Sequence, residues 1–338
     1  MNDKIDTDEM HEEHPRREFL TNAAKLLGGG MVGMGAAQAA AMTSAKAVSK
    51  ATALDYSTIK FRDNIWNRDA LARVHGDLDF GKQKFGWYRG VVMGVRPGEK
   101  NRELVGFEGF SFTRLKDTGT GVYEKLLREV GYYTDLKTGE VLEEWHNPYS
   151  DETVKVVHIA NDPFNFKIGP YFPKPPSYGN LNTTKVPDIP MILPWTDVGN
   201  NQVMLQSNIH LFYPNALQPD KWPRESSGRM NRVSELFTYV FDRDDLANPE
   251  KTALYFSGAW NRITPWLPWM LMGQAEGHAF YNCIQGCYDN MDVLSPKVRA
   301  YAEKHHPKFF DAPTEWVEPS WSSLEHYANE QTPAPMKK

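Results

Sequence analysis

Between residues 84 and 134 the chain alternates apolar and polar side chains over three long segments separated only by tight turns. Over 84–96, Phe85, Trp87, Arg89, Val91 and Met93 fall on one face. Arg96-Pro97-Gly98-Glu99 then turns the chain. Over 103–115, Gly106, Glu108, Phe110 and Phe112 share a side, and after Asp117-Thr118-Gly119 a third segment runs to Thr134. A period of two is the mark of a strand whose faces meet different surroundings. Short connections between such strands argue for an antiparallel meander.

The pattern continues downstream. Residues 141–146 and 153–159 read as fourth and fifth strands. Residues 202–212 turn Val203, Leu205, Ile209 and Leu211 one way and Gln202, Gln206, Asn208 and His210 the other. Residues 231–242 and 252–263 extend the sheet, whereas 58–75, 276–290, 296–305 and 321–330 read as helices. Residues 170–200, rich in Pro and aromatics, are expected as binding or lid loops. Thr264 to Met270 is a compact aromatic loop. About eight long antiparallel strands in one domain favour closure, which removes edges and encloses room for one small ligand. The expected fold is therefore mainly β: a calycin- or lipocalin-like antiparallel barrel or strongly curled sheet. Its helices would pack outside, mostly at the C-terminal end, and a two-sheet sandwich is the alternative. Residues 58–310 form the expected single domain and 311–338 a C-terminal tail.

The first 39 residues belong to a different logic. Arg16-Arg17, then Phe19-Leu20, a Gly/Ala-rich run from Leu26 to Ala41 and Ala37-Gln38-Ala39 resemble a twin-arginine export signal. Five glycines dilute that run below the apolarity of a permanent anchor. The expected location is the periplasm, reached through the twin-arginine translocase, with 40–57 as a linker and no membrane span in the mature chain. Removing four basic and seven acidic residues with the signal moves the net charge from −5 to −2. A surface so near neutrality argues against nucleic acid as a partner. Aromatic residues make up 12% with ten Trp, which suits a β-rich core or an aromatic-lined cavity. Cys283 and Cys287 read either as a disulfide in an oxidising compartment or as buried thiols.

Candidate chemistry gathers around 128–163. His158 at a strand end with Asp162 nearby suggests a general base and its orienting carboxylate; an Asp-Pro turn cap and a structural His explain the same residues. His210 or Glu129 would be the second proton-transfer group. Arg89, opposite Glu108, reads as a buried ion pair or as a ligand-carboxylate or phenolate contact. Tyr133, Asn161 and Trp260 complete the expected ligand contacts. His158, His210 and His278 with Glu129 or Asp162 would suit iron, zinc or manganese, although the sequence has no HxH or HExxH motif. There is no Gly-rich phosphate loop, GxSxG elbow, haem site or P-loop, and no cofactor is named by any motif.

Tyr88-Arg89-Gly90, Phe107-Glu108-Gly109-Phe110, Arg128-Glu129-Val130-Gly131-Tyr132-Tyr133, Trp145-His146-Asn147-Pro148 and His158-Ile159-Ala160-Asn161-Asp162-Pro163 follow in order. Together they resemble the family catalogued as domain of unknown function 1838, over roughly 59–306. The resemblance implies a family without an assigned reaction, whose bacterial members often carry twin-arginine signals. It transfers no catalytic residue. From chemistry alone, the expected function is a cofactor-independent lyase, isomerase or hydrolase acting on a small apolar aromatic or terpenoid-like molecule. A non-catalytic periplasmic small-molecule or lipid carrier and a metal-dependent oxygenase are the alternatives.

Overall fold

The computed structural model describes residues 59–173, 187–318 and 321–336. The expected signal and linker, and the middle of the Pro-rich loop, lie outside the described residues.

The first element is a helix, α1 (Asn64–His75), started by the Asp63 side chain, which accepts the Trp66 N–H at 2.8 Å. Its far end is held by a cation: Lys84 Nζ donates to the carbonyls of Arg73 and Val74, both at 2.7 Å, and of Leu254 at 2.6 Å. A buried ammonium at a helix C-terminus satisfies carbonyls left without helical partners and the negative end of the dipole together.

The meander expected from 84–134 forms as β1 (Gln83–Val95), β2 (Arg102–Asp117) and β3 (Tyr123–Thr134). β4 (Glu144–Asn147) and β5 (Glu152–Lys155) pair only with each other, as a small separate sheet. The main sheet continues with β6 (Ile159–Asn161), β7 (Phe166–Ile168), β8 (Trp195–Gly199), β9 (Gln202–Pro214), β10 (Met230–Asp242), β11 (Phe256–Thr264) and β12 (His278–Tyr288). Its order is β6-β3-β2-β1-β12-β11-β10-β9-β8, with β7 also on β3, and its pairs are antiparallel. A short helix, α2 (Arg243–Ala247), joins β10 to β11, and α3 (Pro296–His305) and α4 (Ser323–Glu330) follow the last strand.

The fold is thus mainly antiparallel β, but the expected barrel is not closed. Among the described residues no pairing joins β8 to β6 or β7. The edges are short, three residues in β6 and β7 and five in β8, and α4 occupies the space beside β6. Covering an edge with a helix meets the same need as hydrogen-bonded closure. Nor do the described residues form the alternative two-sheet sandwich, since their second sheet is only the β4–β5 pair. The expected tail carries α4, which packs into the domain.

The stretch expected as helix 276–290 is instead β12, near the middle of the sheet. Ala279, Tyr281, Cys283, Gln285 and Cys287 are buried on one face, in the period of two. Cys283 and Cys287 are both free thiols. Four residues apart on one strand they stand about 13 Å from each other, well beyond the roughly 7 Å limit of a disulfide.

Each face of the sheet has its own core. The inner face carries Tyr88, Phe107, Tyr133, Trp260 and Tyr281, with Trp66 and Leu71 of α1 over it. Gly109 and Gly131 keep this face low enough for the rings: a Cβ on Gly109 would come within 2.4 Å of the Tyr88 ring, and one on Gly131 within 2.7 Å of Phe107. On the outer face Phe85, Trp87, Phe110 and Tyr132 pack under α3 and the 3₁₀ turn Pro307–Phe310. Among the described residues no helix is long and apolar enough to cross a membrane.

Candidate functional site

Register settles which side chains can meet. Arg89, Glu108 and Tyr132 stand opposite one another across β1, β2 and β3, on the outer face. Arg89 Nη2 reaches Glu108 Oε1 at 2.7 Å, so the expected ion pair exists. The same oxygen accepts Trp87 Nε1 at 3.1 Å and the Ser295 N–H at 2.9 Å, while Arg89 also donates to Val293 O. The pair fastens the start of α3 to the sheet, away from the inner cavity.

Asp162 does not orient His158. Its carboxylate takes Arg128 Nε at 2.9 Å and Lys308 Nζ at 2.8 Å, and Arg128 also donates to Asp311 O at 2.8 Å. His158 Nδ1 accepts the Tyr133 N–H at 3.2 Å, and its ring sits among Tyr132, Tyr133 and Tyr301. Burial lowers its pKa to about 4, against the pull of Glu143. This is a neutral, packed histidine rather than an acid–base dyad. His210 is exposed on the outer face, Nδ1 to Ser234 Oγ at 2.9 Å. Glu129 is fully buried on the inner face beside Asn161, whose Nδ2 lies 3.4 Å from Glu129 Oε1. His210 and Glu129 therefore cannot share a site. Among the described residues no three His, Cys, Asp or Glu side chains are grouped to hold a metal, so the expected His158, His210 and His278 set is not assembled.

The inner face does hold a cavity, of about 80 Å³. That is room for several waters, at about 10–15 Å³ each, or for a small ligand head. Tyr133, His158 and Asn161 line it, as does the aromatic loop Pro265, Trp266, Leu267, Pro268 and Trp269. Trp260 lies just beneath, its ring 5.5 Å from that of Tyr281.

At the cavity wall the hydroxyls of Tyr133 and Tyr281 meet at 2.8 Å. Burial raises the pKa of both phenols, so both keep their protons at neutral pH, and one hydroxyl donates to the other. Arg262 lines the same wall and is 5% exposed. Its Nε lies 3.4 Å from Glu235 Oε1 without the alignment of a hydrogen bond. Burial pushes the Glu235 carboxyl well up, Arg262 opposes the rise and Glu129 adds to it. Across that gap the Arg262 guanidinium and the Glu235 carboxyl each offset the other's cost of burial.

Several lining groups are buried and incompletely partnered. Glu225 is 3% exposed; Oε1 accepts the Ala334 N–H at 2.6 Å and Oε2 has no partner. Arg262 Nε, Trp269 Nε1 and His326 Nε2 are likewise buried without a hydrogen bond. Each such group costs about 1–3 kcal/mol when nothing binds it, and unsatisfied polar atoms gathered in one cavity point to an occupant.

A family model described as protein of unknown function (DUF1838) matches residues 81–331. The chain belongs to this family. The match spans β1 to α4, so in this DUF1838 protein all the cavity-lining groups named above lie within the family domain. No curated protein matches the chain.

Of the residues the sequence singled out, Tyr133, His158 and Asn161 reach the cavity wall, Glu129 and Trp260 lie behind it, and Asp162, His210, Arg89 and Glu108 do not contribute. Sequence reasoning missed Arg262, Tyr281, Glu225 and His326. Arg262 had a signal, since it alternates with Trp260 and Thr264 on one strand face. His326 and Glu330 had another, one turn apart in the helix expected over 321–330. Glu225, in a loop, had none.

Proposed function

We propose that this DUF1838 protein is an exported enzyme of the isomerase, lyase or hydrolase kind, acting without a cofactor on a small, largely apolar and aromatic or terpenoid-like molecule. The substrate presents a carbonyl or phenol oxygen to Tyr133, Tyr281 and Arg262 and lays its apolar body on Trp266, Leu267, Pro268 and Trp269. The observation that carries this reading is the Tyr133–Tyr281 hydroxyl pair beside Arg262 in a cavity whose buried polar groups are incompletely partnered. Two neutral phenols and a guanidinium on one cavity wall favour negative charge developing beside them. The sequence lacks every nucleotide-binding motif sought, which supports the cofactor-independent classes. The twin-arginine pattern at Arg16-Arg17 supports export to the periplasm.

A carrier without turnover would use the same aromatic wall. The enzyme reading is favoured because an apolar ligand needs no buried Arg262 and no Glu225 with a free oxygen.

The test is a titration with 4-nitrophenol, whose phenolate has the shape and charge the polar wall is built for and absorbs visibly. Saturable binding that stabilises the phenolate is expected. Arg262→Met and Tyr281→Phe should each weaken it about tenfold or more, the loss of one charged or buried hydrogen bond. Absence of binding to the folded wild-type chain would overturn the assignment.

A further inference from the structure

Helix α4 brings a histidine to the cavity with its outer nitrogen already held. His326 Nδ1 lies 3.1 Å from Glu330 Oε1, one turn along the helix. The carboxylate accepts the Nδ1 proton, so in the neutral ring Nε2 keeps the lone pair. Nε2 is buried without a partner, His326 is 7% exposed, and both residues line the cavity that holds Tyr133, Tyr281 and Arg262. The helix is fixed in that position. Ser322 and Glu325 form a capping box at its start, and Ser323 Oγ meets Asn161 Oδ1 at 3.1 Å. The Trp321 ring packs edge-on against His326 at 5.5 Å.

We infer that His326 is the general base of the proposed reaction, that Glu330 is its positioning residue, and that the substrate class is carbonyl compounds with an acidic C–H next to the carbonyl. The inference rests on the site reading above. Nε2 takes the proton from the carbon next to the carbonyl. The electron pair of the broken C–H bond moves into the new C=C bond and the carbonyl pair onto oxygen. That enolate oxygen lies against the Tyr133 and Tyr281 hydroxyls and Arg262. The imidazolium, paired with Glu330, exchanges its proton with solvent and returns one proton to the original carbon or to another carbon of the enolate system, so no proton or electron is gained or lost overall. A base held by a third group and lining the same cavity as an oxyanion site is the arrangement this chemistry uses.

The experiment uses the full chain and 2-indanone, a flat aromatic ketone, in deuterium oxide, with loss of the protons beside the carbonyl followed by proton NMR. The wild type should speed exchange over buffer by roughly 10²–10⁴-fold, the range of positioned acid–base catalysis. His326→Gln should return the rate to within a few-fold of buffer, and Glu330→Gln should lower it about tenfold. Nitrogen-15 spectra of the imidazoles provide a substrate-free check, since His326 should carry its proton on Nδ1 in the wild type and lose that preference in Glu330→Gln. Full exchange in His326→Gln, or a proton on Nε2 in the wild type, overturns the inference. Binding of 4-nitrophenol with no exchange by the wild type overturns the dyad alone, whereas failure to bind 4-nitrophenol overturns the site reading beneath it.

Discussion

Tyr133 and Tyr281 stand on strands separated by β2 and β1, yet their hydroxyls meet at 2.8 Å. On a flat sheet three strand spacings of about 4.8 Å would hold their backbones about 14 Å apart. The two side chains lean toward each other across β2 and β1, with the Phe107 ring 5.1 Å from that of Tyr133 and 5.0 Å from that of Tyr281. Gly109 and Gly131 leave the inner face room for these rings, since a Cβ there would meet Tyr88 or Phe107.

Tyr281→Phe leaves the Tyr133 hydroxyl buried without its partner. The expected cost is about 1–3 kcal/mol, the penalty for an orphaned buried hydroxyl. Urea unfolding measures it. Replacing both tyrosines by Phe removes the orphan and should recover part of that loss, while phenolate binding falls further than in either single variant. Additive losses of stability would mean that the two hydroxyls are not coupled.

Glu235 predicts a pH effect of definite sign. Burial raises its folded pKa well above the 4.5 of an ordinary glutamate. The folded state then keeps a proton that the unfolded chain releases, so stability on this account is full below the unfolded value and is lost as pH rises through the folded one. Glu235→Gln removes the titration. Between about pH 5 and 8 the variant should lose less stability than the wild type. Parallel profiles would show that Arg262 holds Glu235 ionised throughout.

His158 acts at the other end of the scale. Its pKa falls from 6.5 to about 4 through burial, with Glu143 pulling the other way. A depressed value means stability that is present above 6.5 and is lost as pH falls through about 4. At about 1.4 kcal/mol per pH unit the contribution is at most about 3.5 kcal/mol. His75 and His306 are depressed by burial as well, so the observable is a difference. His158→Gln should flatten the acid limb of the stability profile relative to wild type in denaturant titrations over about pH 4–7.

The alternation of β1–β3 and of β9 and β10 was legible because period two survives wherever the two faces meet different surroundings. Which face pointed inward was not. His210, Asn208 and Gln206 share a strand face whose direction depends on what the rest of the sheet packs against, and they prove to be on the outer side. β12 was misread because its cysteines, four apart, fit a helical face as well as a strand face, and burial by both neighbours decided between them. Tyr133 and Asn161 were found because they lie in the dense 128–163 stretch. Arg262 and His326 were not, because each gains its role only when β11 and α4 are brought to the same cavity.

The Arg89–Glu108 pair separates a structural from a ligand-binding reading. Glu108 Oε1 takes Arg89, Trp87 Nε1 and the Ser295 N–H at once, on the face opposite the cavity. Removing that acceptor strands a buried indole N–H and loosens the entry to α3, whereas removing the half-exposed Arg89 forfeits only a partly screened attraction. Glu108→Ala should therefore cost about 2–4 kcal/mol, and Arg89→Met about 1 kcal/mol or less. Both variants should bind 4-nitrophenol as the wild type does. A phenolate affinity that falls in Arg89→Met at unchanged stability would return Arg89 to the binding site and move the ligand to the outer face. Unfolding curves and phenolate titrations on the same preparations make that distinction directly.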